Sequence, residues 1–317
     1  MLHLRKVEKY FPIFLILAVL SGFIFTKIFL QLESYILYYL MGIMTLLYLK
    51  IDLIDIIRHI KKPILLIYIS VIHLLALPLF SYWLFQFLKT DIRMSIVLLA
   101  ALPAGVSSAV FTDIMKGRTS LSLMVVIMTN ILAIVTIPSI FYLLGMFGDP
   151  LYAKEVSNLN VNYIGMLNKL CWIIFIPLLI AKILKRIVLK KVIISLNLPD
   201  YYNMAILILL YFMISTAVAF QANEILQNWQ SFLLDTGYLF MAFLVFQFIG
   251  YFSLFWMKKG DKIAAANSTM IMNNVLGIVL AIAFFSNEPK ILIYVTLSFI
   301  PWNCMIILKH WYLKYLP

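Results

Sequence analysis

Apolar stretches of membrane-spanning length follow one another along the chain, and two of them are interrupted by clusters of small and polar residues. A helix needs about 20 apolar residues to cross the hydrocarbon core of a bilayer. Such runs lie at 11–30, 34–49, 63–87, 93–115, 119–146, 162–184, 202–221, 231–257, 263–286 and 291–312, which predicts ten transmembrane helices. A polar segment from Gly148 to Asn160 divides them into two sets of five. An odd number of spans per half inverts the second half relative to the first. The expected fold is therefore an all-α polytopic membrane protein of two inverted five-helix repeats, residues 1–147 and 161–317, joined by an external connector at 148–160.

The interruptions are Pro103-Ala-Gly-Val-Ser-Ser-Ala-Val110 and Asn267-Ser-Thr-Met-Ile-Met-Asn-Asn274, each in the fourth span of its half. A broken helix leaves backbone groups that lipid cannot satisfy, so each break must face protein or water. Paired breaks at corresponding positions in two halves are the mark of a secondary transporter with its binding site at the repeat interface. Ser107, Ser108 and Thr112 at the first break and Asn267, Ser268, Thr269, Asn273 and Asn274 at the second supply hydroxyls, amides and helix ends, which suit an anion. Asn130, Gln247 and Asn303 are single amides on other spans, a pattern that fits packing between helices.

Composition and charge agree with a membrane protein. Hydrophobic residues make up 64% of the 317 positions, against roughly 45–50% in soluble domains. The net charge of +12 does not call for nucleic acid. With the N-terminus inside, 19 of the 25 Lys and Arg fall on the cytoplasmic side and 6 outside, so both termini are expected in the cytoplasm. Although Arg5, Lys6 and Lys9 precede the first apolar run, no convincing cleavage site comes after it, and the run reads as span one. Residues 51–62 and 185–197 have the alternation of interfacial helices. Cys171 and Cys304 lie in apolar spans without metal-like spacing; no disulfide, metal or other cofactor is expected. His-Glu-x-x-His and Gly-x-Ser-x-Gly are both absent, which argues against an enzyme.

Several stretches resemble the bile acid:sodium symporter family, in its bacterial members. They are Met41 to Asp52 leading to Pro63, His73-Leu-Leu-Ala-Leu-Pro78, and Pro103 to Thr112 followed by Lys116-Gly117, which is similar to a Pro-Gly-Gly-Thr-Ala-Ser-Asn-Val signature. Asn267 to Asn274 resembles a degraded Glu-x-x-x-Gln-Asn stretch. The resemblance implies a panel of spans one, two, six and seven and a core of spans three to five and eight to ten, with spans four and nine crossing. Substrate would lie between panel and core, in contact with Val106, Ser107, Ser108, Thr112, Asn267, Ser268 and Asn274.

The departures concern the ions. The resemblance implies two sodium ions held at positions occupied here by Ser108, Ala109, Ser122 and Val126, with His73, Thr269 and Asn273. Only the two serines match; alanine replaces an asparagine, valine a threonine, histidine a glutamine, and threonine the bridging glutamate. None of the 13 acidic residues lies near the middle of a span, Asp113, Glu224 and Asp235 being closest and each toward an end. Two sodium ions without a carboxylate would leave uncompensated charge in a medium of low dielectric, which argues against sodium coupling in the family manner. His73, the one histidine at mid-membrane depth, either takes a proton there or stands neutral, bonded to Ser108 or Asn273.

The expected function is thus a carrier for a small organic anion or amphipathic acid in a bacterial inner membrane, proton-coupled or a facilitator. A sodium-coupled symporter with a rebuilt site is one alternative, and a non-transporting membrane sensor or partner subunit another.

Overall fold

The computed structural model describes residues 11–50, 63–148, 163–186, 198–285, 288–302 and 304–305. The external connector and the two interfacial stretches predicted from sequence fall almost wholly outside these residues, as does Asn303. The described elements are helical: α1 (Phe11–Ile24), α2 (Thr26–Leu30), α3 (Ile36–Lys50), α4 (Pro63–Leu84), α5 (Thr90–Ala101), α6 (Ser107–Ile114), α7 (Thr119–Phe147), α8 (Tyr163–Leu184), α9 (Leu198–Gln227), α10 (Trp229–Phe252), α11 (Lys259–Met270), α12 (Asn274–Phe284) and α13 (Pro289–Leu297). Among the described residues, five helices are long and apolar enough to cross a membrane: α4, α7, α10, and the stretches Ile164–Leu184 and Met204–Gln227 within α8 and α9. Two shorter apolar helices, α12 and Lys290–Trp302, accompany them. Cys171 and Cys304 are free thiols.

The chain forms two compact units, Met1–Asp55 with Lys169–Asn228, and Ile56–Asn168 with Trp229–Pro317. In the first unit, α9 packs against α1, α2 and α3. The contact is built on small residues, which bring helix backbones together where burial from lipid offers little drive. Ser215 Oγ donates to the Ala18 carbonyl at 2.9 Å, and a Cβ on Gly22 would come within 2.7 Å of the Ser215 carbonyl oxygen.

The second unit holds both interrupted spans, and each break has a local cause. Proline disfavours the helical region for its predecessor, and α5 stops before Pro103, with Leu102 extended at φ −65°, ψ 143°. The second break carries no proline. There α11 runs on through Asn267, Ser268 and Thr269 and ends at Met270, and Asn273 caps α12 by accepting from Leu276 N–H at 3.2 Å. The polar cluster at 267–269 is therefore still helical, and the second break is the shorter segment Ile271 to Asn273.

The turn after α6 fixes the far end of the first broken span. Gly117 N–H reaches the Thr112 carbonyl at 2.7 Å and Lys116 N–H the Asp113 carbonyl at 3.0 Å, a Schellman closure with Lys116 in the left-handed region at φ 57°. A Cβ on Gly117 would sit 2.7 Å from both Ile263 and Thr112 side chains. Arg118 then ties the turn to the start of α11, its N–H on the Gly260 carbonyl at 2.9 Å and its guanidinium on Asp261 at 3.1 Å.

In α4 the ladder widens into a π-turn at Ile72–Ala76. Pro78 lies just beyond it; proline can neither donate to the carbonyl four residues back nor avoid crowding it, and such widening is one way a helix absorbs the conflict. His73 sits in this π-turn, fully buried.

Candidate substrate site at the helix crossing

Leu102 to Val106 and Ile271 to Asn273 are the non-helical segments of the two broken spans, and they pair as a short antiparallel bridge centred on Ala104 and Met272. Gly105 N–H donates to the Ile271 carbonyl at 2.8 Å, and Asn273 N–H to the Pro103 carbonyl at 2.8 Å. Each break thus satisfies backbone groups of the other. A Cβ on Gly105 would lie 2.8 Å from the Met272 carbonyl oxygen, so glycine is needed here for close approach.

The outward-facing groups of Ala104 are taken by α7. Ala104 N–H donates to Thr129 Oγ1 at 3.1 Å, and Asn130 Nδ2 donates to the Ala104 carbonyl at 3.1 Å and to the Val126 carbonyl at 2.7 Å. Thr129 and Asn130 hold the first break in place, a role that the sequence did not reveal, because a lone amide in a span reads as packing.

The predicted substrate residues divide by burial. Val106 and Ser107 are half-buried, whereas Ser108, Thr112, Asn267 and Ser268 are fully buried and engaged with one another or their surroundings. Ser122 Oγ lies 3.2 Å from Ser108 Oγ and 3.1 Å from Ser268 Oγ, a chain of hydroxyls across α6, α7 and α11. Asn267 Nδ2 donates to Thr112 Oγ1 at 2.9 Å, and Thr112 in turn donates to the Ser108 carbonyl at 2.7 Å. Asn274 stands apart: its Nδ2 donates to Ser298 Oγ at 2.6 Å, and its Oδ1 is buried without a hydrogen bond.

The residues that the resemblance places at ion-binding positions do not form one linked set of polar side chains. Ser108 and Ser122 are adjacent, but Val126 belongs to an apolar cluster with Ala104, Leu121 and Ala265, and Ala109 is buried with no donor or acceptor side chain. Thr269 Oγ1 turns to α10, donating toward the carbonyls of Phe246, Ala265 and Ala266 at 3.1 to 3.2 Å, and packs on Gly250. Asn273 is occupied as the cap of α12. His73 bonds neither Ser108 nor Asn273; the Leu102 backbone interacts with its ring, but neither Nδ1 nor Nε2 makes a well-formed hydrogen bond. No group of three His, Cys, Asp or Glu residues that could hold a metal ion occurs among the described residues.

Comparison with known proteins gives the family. The chain is 27% identical over 197 residues to "Uncharacterized sodium-dependent transporter YocS" of Bacillus subtilis (strain 168), an alignment that covers 60% of this chain and 59% of the relative. The match thus spans about three fifths of that protein's length. The sequence profile of the sodium bile acid symporter family matches residues 36–228, more than half of the chain. With its several apolar helices of spanning length, the chain is a multi-pass membrane protein that belongs to the sodium bile acid symporter family.

Proposed function

We infer that this protein is a secondary transporter that moves a small organic anion or amphipathic acid across a bacterial cytoplasmic membrane by alternating access, without the two-sodium site implied for its family. The crossing carries this reading. Two broken helices meet through their main chains, ringed by hydroxyls and amides, and no carboxylate stands among the residues at the ion-binding positions. The N-termini of α6 and α12 begin at the breaks, where helix dipoles favour negative charge.

Ten spans in two inverted repeats, with both termini cytoplasmic, is the topology that accompanies this function, and the Lys and Arg asymmetry supports it. The two compact units support a division into panel and core, since each draws on both halves of the sequence. Sodium coupling through a rebuilt site is the second reading. The hydroxyl chain of Ser108, Ser122 and Ser268 favours it, and so does the description of the Bacillus relative as sodium-dependent.

Counterflow in proteoliposomes tests the carrier reading. With unlabelled taurocholate inside, tritiated taurocholate outside is expected to enter transiently above equilibrium, and replacing sodium by choline should leave the exchange unchanged. Binding without counterflow would mean that the protein is not a carrier for this anion, and exchange that requires sodium would favour the sodium-coupled reading.

A further inference from the structure

Charge within a membrane protein must be paired or neutralised, because lipid and a packed interior solvate it poorly. Among the described residues two carboxylates are buried, Asp235 at 9% and Asp261 at 6% exposure. Asp261 has the Arg118 guanidinium at 3.1 Å, and the less buried Asp91 has Lys290 at 3.4 Å. Asp235 differs. Its partner is the Tyr294 hydroxyl, which donates to Oδ2 at 2.6 Å, and no salt bridge reaches it among the described residues. At six residues into α10 it lies about 9 Å along the helix from Trp229.

Its surroundings connect it to the crossing. Lys290, Tyr294 and Ser298 succeed one another at four-residue steps on one face of the final helix, about 6 Å apart along the axis. Each reaches a different helix: Lys290 to Asp91 on α5, Tyr294 to Asp235 on α10, and Ser298 to Asn274 at the start of α12. Exposure falls along the row, from 47% for the Lys290 side chain to 2% for Tyr294 and 0% for Ser298. Asp235 thus stands one helical turn below a surface ion pair and one turn above the residue that adjoins the bridge.

The other charged groups on helices packed against α10 do not pair with it. Asp91 and Lys290 hold each other, and Arg93 donates to the Tyr82 carbonyl and lies 4.0 Å above the Tyr82 ring. Lys259, Asp261 and Lys262 belong to the opposite end, with Asp261 on Arg118 and Lys262 over the ring of Tyr251.

We propose that Asp235, together with Tyr294, is where this protein takes up a monovalent cation, a proton or a sodium ion, whose single charge completes the buried carboxylate. An ionised carboxylate holds the tyrosine hydroxyl through a charge-assisted bond, roughly twice as strong as a neutral one. Cation uptake weakens that bond. Ser298 caps the helix that carries Tyr294 and its N–H donates to the Tyr294 carbonyl at 2.9 Å, so occupancy at Asp235 acts on the hold over Asn274 through one turn of backbone. Cation binding at Asp235 stands apart from transport; only its use to drive a substrate rests on the carrier reading.

Thermal unfolding of the purified full-length protein in detergent tests the site directly. One arm compares sodium with potassium and choline at fixed pH and ionic strength, and the other varies pH at fixed salt. The wild-type transition is expected to rise with sodium if that is the cation, or with falling pH if it is the proton. Asp235→Asn should lose that rise, Tyr294→Phe should reduce it, and Asp113→Asn, at an exposed carboxylate, should keep it. A wild type indifferent to both cations, or an Asp235→Asn protein with the wild-type response, overturns the assignment. In proteoliposomes Asp235→Asn should also lose any accumulation of tritiated taurocholate driven by a gradient of the same cation. The thermal result is independent of whether taurocholate is carried, so failure of the carrier reading and failure of the cation site are told apart.

Discussion

His73 occupies a fully buried position with two ring nitrogens that make no hydrogen bond. An unsatisfied buried donor or acceptor costs about 1–3 kcal/mol, and replacing it by an apolar group of similar shape can recover part of that. His73→Phe is therefore expected to raise the unfolding temperature in detergent. A rise in stability with transport lost would mark the histidine as a functional group, whereas a rise with transport kept would make it a tolerated polar filler. Thr129 is the opposite case. Its hydroxyl accepts from Ala104 N–H, which has no helical partner, so Thr129→Val should cost about 1–3 kcal/mol. The conservative Thr129→Ser should restore most of the loss, and a melting curve distinguishes them.

Single residues also show what is legible in the chain. Pro103 marks the first break, since the residue before a proline disfavours the helical region. Ser108 and Ser122 are expected together from the sequence and lie 3.2 Å apart. Asn267 to Thr269 read as part of a break and are helical, because nothing in that local sequence stops a helix. Beyond Met270 the chain is extended and pairs with the other half of the sequence through Gly105 N–H, and no local pattern can report such a partner. Thr129 and Asn130 are hidden for the same reason: their targets are main-chain groups distant in sequence.

At the level of elements, the closure of α6 places a lysine in the left-handed region, a conformation that disfavours side chains with a Cβ by about 1–2 kcal/mol. Lys116→Gly should therefore stabilise the turn between α6 and α7 by up to about 1 kcal/mol, read as a higher unfolding temperature. Gly105 gives the contrary outcome. A Cβ there meets the Met272 carbonyl oxygen at 2.8 Å, a main-chain atom that cannot swing aside, so Gly105→Ala should part the two breaks. Loss of stability by at least about 1 kcal/mol, with transport reduced more than in surface controls, is the expected result.

At the level of the whole molecule, the basic residues make a prediction independent of any contact. A C-terminal fusion to a fluorescent protein should be bright and one to alkaline phosphatase inactive, as both termini are expected inside. The reverse pattern would remove the ten-span topology. Hydropathy reports burial in lipid, whereas the widened turn at Ile72–Ala76 and the division of the first predicted span at Phe25 depend on local geometry that it does not carry.

The bridge at the crossing is formed by peptide groups, which every residue except proline supplies alike. Its two hydrogen bonds are indifferent to the side chains around them, and glycine at 105 is the one side-chain requirement the contact imposes. Scaffold and chemistry are in this sense separable: Ala109 and Val126 can stand where ion ligands are expected without disturbing the joint that holds the broken spans together. A lineage built on such a joint can exchange its driving ion, or relocate the ion's site, while its architecture stays in place.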